Sequence, residues 1–237
     1  MNAKVGEPYG VLFGTDYTYL DPDNPKASER IVDASGDYVI TATSDNAIGN
    51  VNPNWTAGIT NTFTYKGLSL SALIDIQDGG SIFSLDQAYG RATGLYEETD
   101  FINDLGNPVR NSLADGGGYI FEGVQADGTP NTVRRDAEQW GGFGYVGGVS
   151  NKAHVYDAGY IKLREVALNY TLPSSLLSNI FIRTASVGIY GSNLAILKKH
   201  LPHADPESGL SSGNLQGYSI GSLPSVREIG FNVKLTF

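Results

Sequence analysis

Cysteine is absent from the 237 residues, and methionine and tryptophan are scarce, with one Met and two Trp. Without cysteine there is no disulfide framework, no thiolate metal site and no cysteine nucleophile, whatever the compartment. Charge is sparse as well. Charged side chains make up 17% of the chain, and 25 acidic groups against 16 basic ones leave a net charge of -9. So few Lys and Arg argue against nucleic acid as a partner, because phosphate contacts supply most of that affinity. No stretch is apolar for long enough to form a transmembrane helix, which needs about 20 residues. The start lacks the basic-then-apolar layout of a signal peptide. Met1-Asn2-Ala3-Lys4-Val5 leads directly into strand-like sequence, so the beginning reads as truncated.

What is present is period-two alternation. At the C-terminus Ile229, Phe231, Val233, Leu235 and Phe237 share one face of a strand, while Glu228, Asn232, Lys234 and Thr236 share the other. Residues 55–66 alternate in the same way, with Trp55, Ala57, Ile59, Phe63 and Tyr65 on one side and Asn61 as the single break. After Lys66-Gly67 the pattern resumes with Leu68, Leu70, Ala72, Ile74 and Ile76, which predicts a long hairpin. Further strands are expected at residues 160–172, ended by Pro173, and at 184–197, with one helical turn at 174–179 between them. A sixth is expected near residues 5–17 and a short one at 37–43. Arms of about ten residues are long enough to cross a hydrocarbon layer when tilted, whereas soluble strands are usually nearer five or six.

The connections are unequal. Lys66-Gly67 and residues 173–183 are short, while residues 79–157 and 198–225 are long, polar and rich in glycine. Outer-membrane barrels have short periplasmic turns and long outer loops, and counting back from Phe237 puts both long stretches on one side. The fold class expected is all-β: an antiparallel transmembrane β-barrel segment with long extracellular loops. A soluble β-sandwich that binds carbohydrate, or a small non-transporting outer-membrane barrel, would use the same alternation. Where the apolar faces go decides between them.

Several stretches resemble the SusC/RagA family of TonB-linked outer-membrane transporters. They are Ile48-Gly49-Asn50-Val51-Asn52-Pro53 continuing to Tyr65-Lys66-Gly67; Asp157-Ala158-Gly159-Tyr160-Ile161-Lys162-Leu163-Arg164-Glu165-Val166; Tyr170-Thr171-Leu172-Pro173; Tyr190-Gly191-Ser192-Asn193-Leu194-Ala195; Asp205-Pro206-Glu207; and Val5 to Gly10. The resemblance covers most of the chain and matches only the C-terminal part of a family member. It implies that residues 1–237 are the C-terminal portion of a plugged barrel of about 22 strands, with the plug domain, TonB-binding segment and signal peptide lying outside them. It further implies import of oligosaccharides or peptides across the outer membrane of a Gram-negative bacterium. The implied partners are a SusD-like surface lipoprotein, the TonB complex acting through the missing N-terminal part, and outer-membrane lipid. Gly230, Val233, Leu235 and Phe237 resemble the C-terminal signal read by the barrel-assembly machinery, with β-augmentation as its mechanism.

No Gly-x-Ser-x-Gly elbow or catalytic carboxylate frame occurs, so no catalytic residue, cofactor or metal ligand is expected. His200 and His203, followed by Asp205 and Glu207, have a ligand-like spacing but lie on a polar stretch, where solvated histidines are the ordinary outcome. Asp21, Asp23, Asp33 and Asp37 likewise read as solvated charge. Lys162, Arg164 and Glu165 suggest charge pairing between neighbouring strands at a rim, or contact with substrate. Trp140, Phe143 and Tyr145, set among glycines, are the candidate substrate-contacting aromatics of an extracellular loop.

Overall fold

A computed structural model describes residues 4–25, 27–137, 149–178, 181–210 and 213–237. Its elements in chain order are β1 (Val11–Gly14), β2 (Asn46–Asn50), β3 (Trp55–Tyr65), β4 (Leu68–Asp78), β5 (Ser81–Ser84), α1 (Leu85–Ala92), β6 (Tyr119–Ile120), β7 (Arg134–Arg135), β8 (Val155–Asp157), β9 (Tyr160–Thr171), β10 (Thr184–Lys199), β11 (Tyr218–Ser219) and β12 (Glu228–Thr236). They divide between two compact units. One comprises Asn52–Gly80, Asp157–Ser208 and Leu223–Phe237, and the other comprises Met1–Val51, Ser81–Tyr156 and Gly209–Ser222.

The first unit is a five-stranded antiparallel sheet in the order β12-β10-β9-β4-β3. Its hairpin turns on Lys66 and Gly67, both with positive φ (44° and 82°), as a two-residue turn matched to strand twist requires. A Cβ on Gly67 would lie 2.7 Å from the carbonyl oxygen of Thr171, so glycine is also needed for close approach. Register aligns the alternation across all five strands. One row reads Phe63, Leu70, Leu168, Ile189, Phe231, and the next reads Tyr65, Leu68, Tyr170, Val187, Val233. On the opposite face lies the row Thr64, Ser69, Asn169, Gly188, Asn232.

The apolar face is not a core. Phe63, Ile189 and Phe231 are 65%, 59% and 81% exposed, an area of apolar surface that soluble monomers rarely tolerate. A sandwich would have covered it with a second sheet. The eleven residues of β3, at about 3.3 Å each and tilted by about 45°, rise roughly 25 Å, the height of the apolar band on an outer-membrane barrel. Trp55 stands at one border of this band, and Tyr65 and Tyr170 stand at the other. The sheet is open, with β12 and β3 at its edges, and no closed barrel occurs among the described residues.

In the second unit, much of the two long connections has order of its own. Leu12, Ile48 and Phe83 form a buried cluster, with Val51, Leu85, Val155 and Tyr218 packed against it. Ser84 Oγ caps α1 by accepting from the Gln87 N–H at 3.2 Å, and Asp86 accepts from Ser219 Oγ and the Gly221 N–H, both at 2.8 Å. The strand expected over residues 5–17 shrinks to β1, which pairs with β2 and takes no place in the five-stranded sheet. The one expected at 37–43 is reduced to single bridges, Tyr38 with Val32 and Ile40 with Tyr17. The helical turn after Pro173 is a 3-10 turn, Ser174–Leu176.

Candidate functional site

The chemistry of the sheet is concentrated where β9 carries an extra residue. Leu73 pairs with Glu165 and Ile74 with Leu163, which leaves Arg164 as a bulge. On the other side Ser192 pairs with Glu165 and Ala195 with Leu163, so β10 bulges at Asn193, in left-handed backbone at φ 49°, and Leu194. Bulges re-aim side chains. Here they direct Tyr160, Lys162 and Arg164 to one cluster of carboxylates.

Lys162, 4% exposed, donates to Asp205 Oδ1 at 2.5 Å and also to Glu207. Arg164 donates to Asp75 Oδ2 through Nε at 2.8 Å and Nη2 at 2.6 Å, and reaches Glu207 as well. The Tyr160 hydroxyl donates to Glu207 Oε1 at 3.1 Å. Arg164 Nη1 donates to Asn193 Oδ1 at 3.1 Å, and Asn193 Nδ2 passes the connection to the Val226 carbonyl at 3.1 Å. Ser225 Oγ completes the set by donating to Asp205 Oδ2 at 2.6 Å. Residues 200–208 and the approach to β12 are therefore both fastened to β9.

Burial acts to raise the Asp205 carboxyl, but hydrogen bonds from Lys162 and Ser225 outweigh it and hold Asp205 below its ordinary value. Glu207 behaves alike, its burial outweighed by bonds from Arg164 and Lys162. Two cations facing three carboxylates make a satisfied network rather than a reactive one, and all its groups are committed to one another. Buried pairs of this kind contribute little relative to apolar packing, yet removing one partner alone is costly.

Cross-strand pairing of Arg164 is found, with Asp75 on the neighbouring β4. Asp205 and Glu207 are the partners of Lys162 and Arg164, cations that would otherwise be buried unpaired. His200 keeps solvent contact, with Nδ1 3.8 Å from Asp157 Oδ2. Asp37 departs from the solvated reading, since Arg135 lies 3.0 Å from it, while Asp33 Oδ1 accepts from the Ser35 and Asp37 N–H groups. Val233, Leu235 and Phe237 are exposed in line on the apolar side. Gly230 is on the other side beneath Tyr190, whose ring a Cβ would meet at 2.6 Å. Trp140, Phe143 and Tyr145 lie outside the described residues.

Over 98% of its length the chain aligns at 25% identity with TonB-dependent receptor P3 of Formosa agariphila, covering 22% of that protein. The chain resembles part of a TonB-dependent receptor. TonB-dependent receptor P26 of the same organism is 27% identical over 86% of the chain and 19% of its own length. Among solved structures, the RagAB peptide importer in its open-open state matches 95% of the chain and 22% of its own with a TM-score of 0.56 at 20% identity. The closed-closed state gives 0.52 over the same share of the chain. These likenesses show the receptor-type fold, and the motif resemblance to the SusC/RagA family agrees with them. No protein-family model matches the chain. It spans about a fifth of the length of the curated relatives it matches.

Proposed function

We propose that the chain is a C-terminal stretch of the barrel of a TonB-dependent outer-membrane importer that carries oligosaccharides or peptides and has no enzymatic role of its own. The observation that carries this reading is the two-faced sheet: five strands in register, apolar and exposed on one side, hydroxyl-bearing and charged on the other. Such a sheet fits a wall between hydrocarbon and a polar lumen. The bulged cluster then holds residues 200–208 against that wall, so its role is to position rather than to react. In the complete protein a SusD-like lipoprotein would close over the barrel, TonB would supply energy through residues outside 1–237, and Gly230, Val233, Leu235 and Phe237 would address the barrel-assembly machinery. Lipid would cover the apolar face.

Deleting the gene from its source bacterium and measuring uptake of defined oligosaccharides and peptides tests the reading. Loss of uptake of one set, with the protein in the outer-membrane fraction, is expected. Unchanged uptake of every set, or recovery of the protein in the soluble fraction, overturns it.

A further inference from the structure

The unit built from Met1–Val51, Ser81–Tyr156 and Gly209–Ser222 contains a cleft of about 540 Å³ that the wall does not explain. Its lining includes Glu29, Arg30, Tyr38, Ile120, Phe121 and Glu122. A volume of this size is in the range of small-molecule sites.

The cleft is held open by its own bonds. The Val124 N–H donates to the Arg30 carbonyl at 3.0 Å, and the Val32 N–H donates to the Val124 carbonyl at 2.7 Å, which ties residues 30–32 to 121–124. The Tyr38 hydroxyl donates to the Glu122 carbonyl at 3.0 Å, and Asn131 Nδ2 donates to the Phe121 carbonyl at 2.9 Å. The ring of Tyr38 lies between Tyr17 and Phe121, at 5.1 and 4.4 Å between centroids. Arg30 is stacked 4.2 Å from the centre of Tyr17 and 5.2 Å from that of Tyr38. Stacking fixes the guanidinium plane and one N–H is spent on the Tyr38 hydroxyl, which leaves the other donors of the edge for a ligand, so part of the ordering cost of binding is already met. Among the described residues no carboxylate stands within ion-pair distance of Arg30.

The chemistry around that guanidinium is mixed. Arg30 can only donate hydrogen bonds, while Glu29 and Glu122 can only accept them. A hydroxyl does both, so adjacent hydroxyls on one ring satisfy a guanidinium and a carboxylate together. Two carboxylates against one cation disfavour an anionic ligand, and Arg30 disfavours a cationic one. A peptide presents its amide groups one at a time and brings side chains that need apolar pockets, but Phe121 is buried, and among the lining residues Ile120 and the Tyr38 ring offer only part-exposed apolar surface. We propose that this cleft binds a sugar ring of a neutral oligosaccharide, held between Arg30 and Glu122 with Glu29 at its side. This rests on the importer reading and names the substrate class within it.

The test uses the full-length receptor purified in detergent, with neutral gluco-, xylo- and manno-oligosaccharides as probes, and oligogalacturonate and a mixed hexapeptide pool as controls, followed by calorimetry. At least one neutral set binds, and Arg30→Ala and Glu122→Gln each weaken it about tenfold or more, as expected for lost charge-assisted hydrogen bonds. Glu122 is exposed, so Glu122→Gln leaves folding intact and keeps the test valid even if Arg30→Ala does not fold. The proposal is overturned if no neutral set binds, if only oligogalacturonate or peptide binds, or if Glu122→Gln binds as the wild type. Failure of the importer reading looks different: uptake by cells would then be independent of the gene, whereas failure of this inference alone leaves gene-dependent uptake that Glu122→Gln does not alter.

Discussion

Lys162 illustrates how one side chain determines its neighbours. Replacing it with Met leaves Asp205 buried without its cation, and the expected loss is about 3–5 kcal/mol, read as a lower urea midpoint of the full receptor in lipid vesicles. Adding Asp205→Asn to Lys162→Met recovers most of that loss, because the uncompensated charge is gone. An unaltered midpoint for Lys162→Met would show the network to be idle. The carboxylates also set an acid limit. Asp205 and Glu207 have folded-state values below their unfolded ones, so their contribution is full above the ordinary carboxylate range near pH 4 and is lost as pH falls through the folded values. Residues 200–208 should therefore resist hydrogen exchange from neutral pH down to about 5 and open only below about 4; opening between pH 7 and 5 would contradict this. Neither partnership was legible beforehand. Lys162 and Asp205 are 43 residues apart, and spacing carries no signal at that distance, although the Asp205-Pro206-Glu207 motif was visible as a resemblance.

At the scale of elements, the long strands were legible because each carries its own alternation. The hairpin, β9, β10 and β12 fall where the pattern put them, with ends displaced by a residue or two. The bulge has a signature in the sequence: Ile161 and Leu163 are apolar at odd positions, then Val166, Leu168 and Tyr170 at even ones, so the phase changes at Arg164. Strands such as β1, β5 and β11 are too short for a period to show, and β5 and β11 are paired across more than a hundred residues, Phe83 with Tyr218. The two faces of β3 make opposite predictions. Ile59→Arg, near mid-height on the apolar side, should cost about 2–4 kcal/mol in a bilayer, while Thr60→Arg on the other side should cost little. If the apolar face were in water, Ile59→Arg would be nearly neutral, and equal effects in vesicle-based unfolding would refute the wall assignment.

For the molecule as a whole, composition pointed to the β class and pattern to the five-stranded sheet, while the second unit was not legible because its order comes from caps, turns and short pairings among glycines. The open sheet has two unpaired edges, and these invite association. Residues 1–237 expressed alone should accordingly scatter light as aggregates in aqueous buffer and be recovered only with detergent; a monodisperse, detergent-free monomer would contradict the exposed belt.

Asp205 has one further consequence. It holds Lys162 on β9 and Ser225, which stands three residues ahead of β12, and both bonds are short. A final strand that slid by two residues would keep its ladder and its alternation, so neither could detect the error. It would carry Ser225 about 7 Å along the chain, out of reach of a carboxylate already fixed from two strands away. The bond from Ser225 to Asp205 thus works as a vernier, favouring the native alignment of β12 together with the seat of Gly230 beneath Tyr190 and the bond from Asn193 to Val226.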